Sequence, residues 1–183
     1  MKIVYYLELT KDHLPFMEAS EVWLRGPIPN IPPLLQPVAH ALVQSGEEVE
    51  KLMFGFPQEK LWIRPAGVAS VGFHLQHFVG VLDRLFTYAR GQSLTEDQTK
   101  YLKSEGEPPE PALTISEMVE RFKSQIKKSL DQLENTSEES LSHGAEVGRK
   151  KLPSTVLGLL FHAAEHTQRH TGQLLVTVRI LTD

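Results

Sequence analysis

The sequence predicts an all-α protein, a four-helix bundle with an irregular N-terminal arm and long connections between the helices. Four segments repeat apolar residues at spacings of three and four, which is the period of one helix face. Convincing strand patterns are few. At 183 residues the chain is long enough for one domain with a substantial core and short for two. We therefore expect a single domain over residues 1–183.

The first predicted helix follows the arm. Residues 1–28 mix aromatic and charged side chains and predict an irregular arm with one short helix at most. Pro32 and Pro33 then fit the first turn of a helix, where the missing N–H of proline has no intrahelical partner. Apolar residues recur at helical spacing from Leu34 until Gly55 stops the pattern.

The second predicted helix covers residues 66–89. Its apolar residues recur at spacings of three and four, with Pro65 just before it and Gly91 just after it as a C-terminal stop. This helix contains His74 and His77.

The third predicted helix follows a polar connection over residues 93–111, in which we expect one helical turn at 95–102. Thr114 and Glu117 provide capping residues. An apolar i,i+4 stripe then runs from Met118 to Leu133, with charged residues on the opposite side.

The fourth predicted helix opens at residues 153–155 and runs to about Leu181. The preceding stretch, residues 135–151, is rich in Ser, Glu and Gly. It leaves open a two-stranded hairpin around Gly144 and Gly148. The fourth helix carries few basic residues in its first half, which indicates that it is mostly buried.

Composition and charge narrow the class of protein. Hydrophobic residues make up 40% of the chain and charged residues 23%, which argues against disorder and against a membrane protein. No apolar run approaches the roughly 18 residues that span a bilayer, and no signal-peptide cleavage site follows the N-terminus, so we expect a cytoplasmic protein. The net charge of −4 and the lack of a basic tract give no sign of the positively charged surface that binds nucleic acid.

The chain contains no cysteine. This excludes disulfides and sulfur ligands, so a metal ion would have to be bound by imidazole, carboxylate and water. Any thiol chemistry would need a thiol from outside the protein.

Three histidines of the fourth helix have the spacing of metal ligands. His162, His166 and His170 follow at i, i+4 and i+8, and i,i+4 neighbours share one helix face. Each step turns the helix about 40° beyond a full circle, so all three cannot bind one ion from a straight helix without strain. Spacing leaves open whether the earlier or the later pair binds, and it favours the later pair only slightly.

A helical pair of histidines needs a further ligand from another element. The second helix supplies His74 and His77. Three histidines from two helices would leave open coordination positions, which is typical of a catalytic site. A lone buried histidine more often hydrogen-bonds its surroundings, but several buried imidazoles are costly without a shared partner. We therefore predict a metal site between these two helices.

Two motifs resemble those of DinB-like proteins, metal-binding helical bundles once named for damage-inducible genes. The segment SVGFHLQHFVGVLDRL at residues 70–85, followed by YARG at 88–91, resembles their second helix. The segment HTQRHTGQ at residues 166–173 resembles their C-terminal motif, a histidine four residues before another that precedes a Gly-Gln pair. Helix order and connection lengths also fit. The resemblance covers about residues 31–181, the bundle core, and leaves out the arm over 1–30.

The resemblance implies a three-histidine site for a divalent ion, often nickel or zinc, with His77, His166 and His170 as the ligands. His74 and His162 lie one turn before matched positions, so they become alternative ligands or partners that orient the ligands.

Three further residues are expected near this site. Gln173, one turn past His170, and Glu165, beside His166, are the nearest polar candidates to orient ligating imidazoles, and both could equally be solvated surface residues. Arg84 lies two turns from His77 on a similar face. It could hold a substrate carboxylate or pair with a glutamate.

The predicted function follows from the site and the resemblance. Characterised DinB-like proteins include transferases and isomerases that use low-molecular-weight thiols such as bacillithiol or mycothiol, and many members have no known reaction. An ion with three neutral ligands keeps its charge and lowers the pKa of a bound water or thiol. We predict a metal-dependent enzyme that transfers a small thiol to an electrophilic small molecule.

The alternatives are a metal-dependent hydrolase, a non-catalytic, metal-stabilised, stress-associated protein, and a bundle without metal. Relatives often pair through their helices, so we also expect a homodimer.

Overall fold

The N-terminal arm is described only in part. The structure, a computed structural model, describes residues 20–182, so most of the irregular arm predicted over 1–28 lies outside the described residues. The described part contains one 3-10 turn, Val22–Arg25. Val22 is buried, and Arg25 forms an ion pair with Glu47 of the first helix.

Four long helices form the bundle, as predicted. In chain order the helices are α1 (Gln36–Met53), α2 (Val71–Ala89), the short α3 (Glu96–Ser104), α4 (Ile115–Glu134) and α5 (Val156–Thr182). Helix α2 packs against α4 and α5, and α1 packs against the same two helices. Their apolar faces enclose one core. No helix within residues 20–182 combines the length and the hydropathy needed to cross a membrane.

Helix α2 begins at Val71 and not at residue 66, so the predicted start was wrong. Ala66 and Gly67 both have left-handed backbone conformations, with φ of 49° and 78°, which interrupt a right-handed helix. Ser70 then caps α2, because its side chain accepts a hydrogen bond from the backbone N–H of Phe73.

Two connections contain more regular structure than the sequence predicts. Helix α3 extends over nine residues and begins with a capping box formed by Thr95 and Gln98. The hairpin left open by the sequence is present, with β1 (Gly144–Val147) paired antiparallel to β2 (Leu152–Thr155). Residues 153–155 therefore belong to a strand, and α5 begins only after them.

Two glycines allow neighbouring groups to lie directly on α2. A Cβ atom added to Gly72 would lie 2.5 Å from the ring of Trp62. A Cβ atom added to Gly80 would overlap the carboxylate of Glu105, which follows α3. The end of α3 therefore reaches the surface of α2 next to the histidines of that helix.

Candidate metal centre

Four histidines lie together between α2 and α5. The ring centroid of His77 lies 4.4 Å from that of His170 and 5.2 Å from that of His166, and the rings of His166 and His170 are 4.6 Å apart. His74 lies next to His170, at 5.3 Å between ring centroids. The potential ligand atoms of His77, His166 and His170 all lie within 4.8 Å of one another. The structure thus brings the three predicted ligands together, and this group could hold a metal ion.

Two ring nitrogens already have the spacing of ligands. The Nε2 atoms of His77 and His166 are 3.0 Å apart. Nitrogens bound to one ion at about 2.0 to 2.1 Å lie roughly 3.0 to 3.4 Å from each other, depending on the coordination angle. The pair therefore needs little rearrangement to share an ion.

Glu105 determines which nitrogen of His77 is free. Its Oε2 lies 2.7 Å from Nδ1 of His77. An ionised carboxylate can only accept a hydrogen bond, so Nδ1 of His77 carries a proton and donates the hydrogen bond. Nε2 is then unprotonated and points towards His166. A carboxylate in this position orients a ligating imidazole and raises its basicity.

Arg84 holds the other oxygen of Glu105. Its Nη1 lies 2.5 Å from Oε1, and the two side chains are only 10% and 5% exposed. The structure therefore places the Arg84 guanidinium on a buried glutamate beside His77. Contact of Arg84 with a substrate carboxylate remains a prediction.

The loop that carries Glu105 is fastened to α2 through Gln76. The amide oxygen of Gln76 accepts a 2.7 Å hydrogen bond from the backbone N–H of Gly106, and its amide nitrogen donates to the carbonyl of Glu107 at 2.9 Å. Gly106 has a φ of 98°, a conformation that favours glycine. The hydroxyl of Tyr101 donates to the carbonyl of Gln76. The loop and the helix that bears His77 are thus joined by several bonds.

Sequence reasoning did not identify Glu105. It lies 28 residues after His77, beyond α3, so no helical spacing relates the two residues. Its nearest sequence signal is the Glu-Gly pair at residues 105 and 106, which marks a turn and does not identify a partner.

His74 lies behind His170 as a hydrogen-bond partner. Their Nδ1 atoms are 3.1 Å apart, so one of the rings donates to the other. When Nδ1 of His170 is the donor, Nε2 of His170 is unprotonated and can bind an ion. On the other side of the site, the ring of Phe73 stacks on that of His77, with centroids 5.2 Å apart and planes 12° apart. An alternative role of His74 as a ligand remains a prediction.

Burial keeps these imidazoles in the neutral form that binds metals. Burial and, next, the nearby His77 lower the pKa of His74 to about 4 and that of His170 to about 3. The same two causes lower the pKa of His166. Nδ1 of His166 is buried without a hydrogen-bond partner among the described residues, which is uncommon for a ring nitrogen. A neutral imidazole has one unprotonated nitrogen, which is the atom that binds a metal ion.

The remaining predicted residues lie towards the solvent side of α5. Nδ1 of His162 lies 2.7 Å from Oε1 of Glu165, and Glu165 also pairs with Arg169. Gln173 is exposed. The roles of these residues at a metal centre remain predictions.

Comparison with known families gives one finding. The model of the DinB superfamily matches residues 41–174, nearly three quarters of the chain. The matched range contains the three proposed ligands and Glu105. The match confirms the resemblance to DinB-like proteins that the two motifs indicate. Comparison with curated proteins gives no match.

We expect the metal-free protein to lose stability as the pH falls below about 6.5, the ordinary pKa of histidine. Because burial lowers the pKa of His74 to about 4, the unfolded chain binds a proton between these two values and the folded chain does not. His74 alone would lower the free energy of unfolding by up to about 1.4 kcal/mol per pH unit in this window. Urea unfolding at several pH values, with a chelator present, measures the decline.

Two variants separate this effect from general acid sensitivity. His74→Gln should show a shallower decline than the wild type, since the buried titrating group is gone. His143→Gln, which changes an exposed histidine, should keep the wild-type slope. Equal slopes for the wild type and His74→Gln would contradict the account of a buried, neutral His74.

Proposed function

We propose that this chain, which belongs to the DinB superfamily, binds one divalent metal ion through His77, His166 and His170 and uses it to transfer a small thiol to an electrophilic substrate. The observation that carries the proposal is the convergence of three imidazoles from two helices. Three protein ligands leave coordination positions for molecules from solution. Nickel or zinc is the proposed ion, because imidazole donors suit both.

Access from solution supports a catalytic role. His166 and His170 are half-buried, and the side chain of His77 is 14% exposed. A small molecule could therefore reach an ion at this site. A fully enclosed site would favour a purely structural ion.

The ion would supply a positive centre that lowers the pKa of a thiol and makes a thiolate nucleophile available near neutral pH. The thiol has to be a co-substrate, because the chain has no cysteine. Glu105 would keep the Nε2 lone pair of His77 directed into the site. Arg84 offsets the negative charge of Glu105, so the pair orients His77 while adding little net charge beside the ligands.

The composition and the resemblance to DinB-like proteins also suggest an oligomeric state and a cellular location. We propose a homodimer in the cytoplasm that acts without nucleic acid or a membrane. Light scattering of the purified protein tests the homodimer, and cell fractionation tests the location.

Replacing any one ligand by alanine should abolish tight metal binding. We expect the wild type to carry about one ion per chain after purification, and His77→Ala, His166→Ala and His170→Ala to carry far less, since two imidazoles bind weakly. Elemental analysis and thermal unfolding with and without chelator measure both effects. His143→Ala, outside the cluster, is the matched control. Unchanged metal content and stability in all three variants would contradict the site.

Thiol transfer should depend on the ion. We expect at least one low-molecular-weight thiol in a panel to be transferred to an electrophilic acceptor, with activity lost on chelation and restored by nickel or zinc. Thiol transfer that survives complete chelation would contradict the proposal. Metal-dependent hydrolysis without thiol transfer would instead identify a hydrolase, and a metal that only raises the unfolding temperature would identify a structural ion.

Glu105→Gln should weaken metal binding by about 10 to 100-fold, the usual effect of losing a group that orients a ligand. Gly80→Ala should act in the same direction, because the added methyl group overlaps the Glu105 carboxylate and moves it away from His77. Competition titration with a chelating indicator measures the dissociation constants. Glu107→Gln, at an exposed position two residues away, is the control and should bind as the wild type does. Wild-type affinity in Glu105→Gln would contradict the assignment.

A further inference from the structure

A second group of potential metal ligands lies on the solvent side of α5. The ligand atoms of His162, Glu165 and His166 lie within 4.8 Å of one another, and the rings of the two histidines are 5.1 Å apart. The segment reads His-Ala-Ala-Glu-His. In metalloprotease helices with a related pattern, two histidines one turn apart on one helix face bind a zinc ion.

Exposure decreases from this outer group to the inner group formed by His77, His166 and His170. The side chain of His162 is 48% exposed and that of Glu165 is 30% exposed, compared with 14% for His77. An ion arriving from solution therefore meets His162 and Glu165 before it meets His77. His166 belongs to both groups. Because both groups include His166, a single ion would occupy either the outer or the inner group at one time.

The charges and hydrogen bonds of the outer group suit the capture of a cation. Glu165 accepts a hydrogen bond from Nδ1–H of His162, which leaves Nε2 of His162 unprotonated and available as a ligand. The carboxylate of Glu165 supplies the negative charge that attracts a divalent cation. Arg169 pairs with the same carboxylate at 2.7 Å. Because the Arg169 side chain is more than half exposed, breaking this ion pair costs little free energy.

We propose that His162, Glu165 and His166 capture a divalent metal ion from solution and deliver it to the inner group. His166, which belongs to both groups, would hold the ion while His77 and His170 replace His162 and Glu165 as its other ligands. The ion thus reaches the inner group without returning to water. The proposal rests on the proposed function, since the inner group is the destination.

The test is the rate at which the full-length, metal-free protein takes up Co²⁺, followed by stopped-flow absorbance of the cobalt chromophore. His162→Ala and Glu165→Gln should each slow uptake by about tenfold, the lower end of the range over which a favourable local charge raises association rates. The final spectrum and the equilibrium dissociation constant of both variants should match those of the wild type, because neither residue is a ligand of the inner group. His143→Ala, an exposed histidine outside both groups, should take up Co²⁺ at the wild-type rate. Wild-type uptake rates in both His162→Ala and Glu165→Gln would overturn the proposal.

Equilibrium titration of His77→Ala separates the two groups. This variant should still bind one Co²⁺ ion, more weakly than the wild type, and the double variant His77→Ala with His162→Ala should lose that ion. Absence of Co²⁺ binding in a folded His77→Ala variant would overturn the outer group while leaving the inner one in place. Equal Co²⁺ affinity of the wild type and His77→Ala would mean that the inner group does not bind, and the proposed function would fail together with the delivery.

Discussion

The hydrogen bond between Glu105 and His77 is the interaction on which the geometry of the candidate metal centre depends most. It fixes the tautomer of His77 and directs Nε2 towards His166. Much of the surrounding structure serves to hold it. Arg84 binds the second carboxylate oxygen, Gln76 fastens the loop, and Gly80 leaves the space that the carboxylate occupies. The short helix α3, which lies outside the four-helix core, therefore has a direct part in the site.

Burial of four imidazoles in one cluster has opposite effects on the metal-free and the metal-bound protein. Without an ion, the lowered pKa values of His74 and His170 mean that the fold excludes protons that the unfolded chain would bind. With an ion, these imidazoles are already in the neutral form that binds, so no imidazolium has to lose its extra proton first. The cluster thus lowers the stability of the fold in acid and keeps the imidazoles in the form that binds a divalent cation.

The fold could be predicted from periodicity where helices are long and amphipathic. Helix α4 follows its apolar stripe, and its capping box of Thr114 and Glu117 marked the start directly. Periodicity failed at the start of α2, because Val68 continues the apolar spacing while Ala66 and Gly67 take left-handed conformations. It also could not separate residues 153–155 from α5, since their strand forms only by pairing with β1.

The site could be predicted only as far as its ligands. Histidine spacing left two pairs open on α5, and the resemblance to DinB-like proteins supplied the choice of His166 and His170. Glu105 could not be predicted, because its relation to His77 exists only after α3 folds back onto α2. Partners that are brought together by a loop leave no periodic signal in the sequence.

The most direct test of the account is the coordination of nickel or zinc in the loaded protein, determined from a crystal structure and from X-ray absorption in solution. We predict an ion bound by one imidazole nitrogen each of His77, His166 and His170, with Glu105 on Nδ1 of His77 and the remaining positions filled from solution. An ion with a fourth protein ligand, or an ion bound without His77, would contradict it.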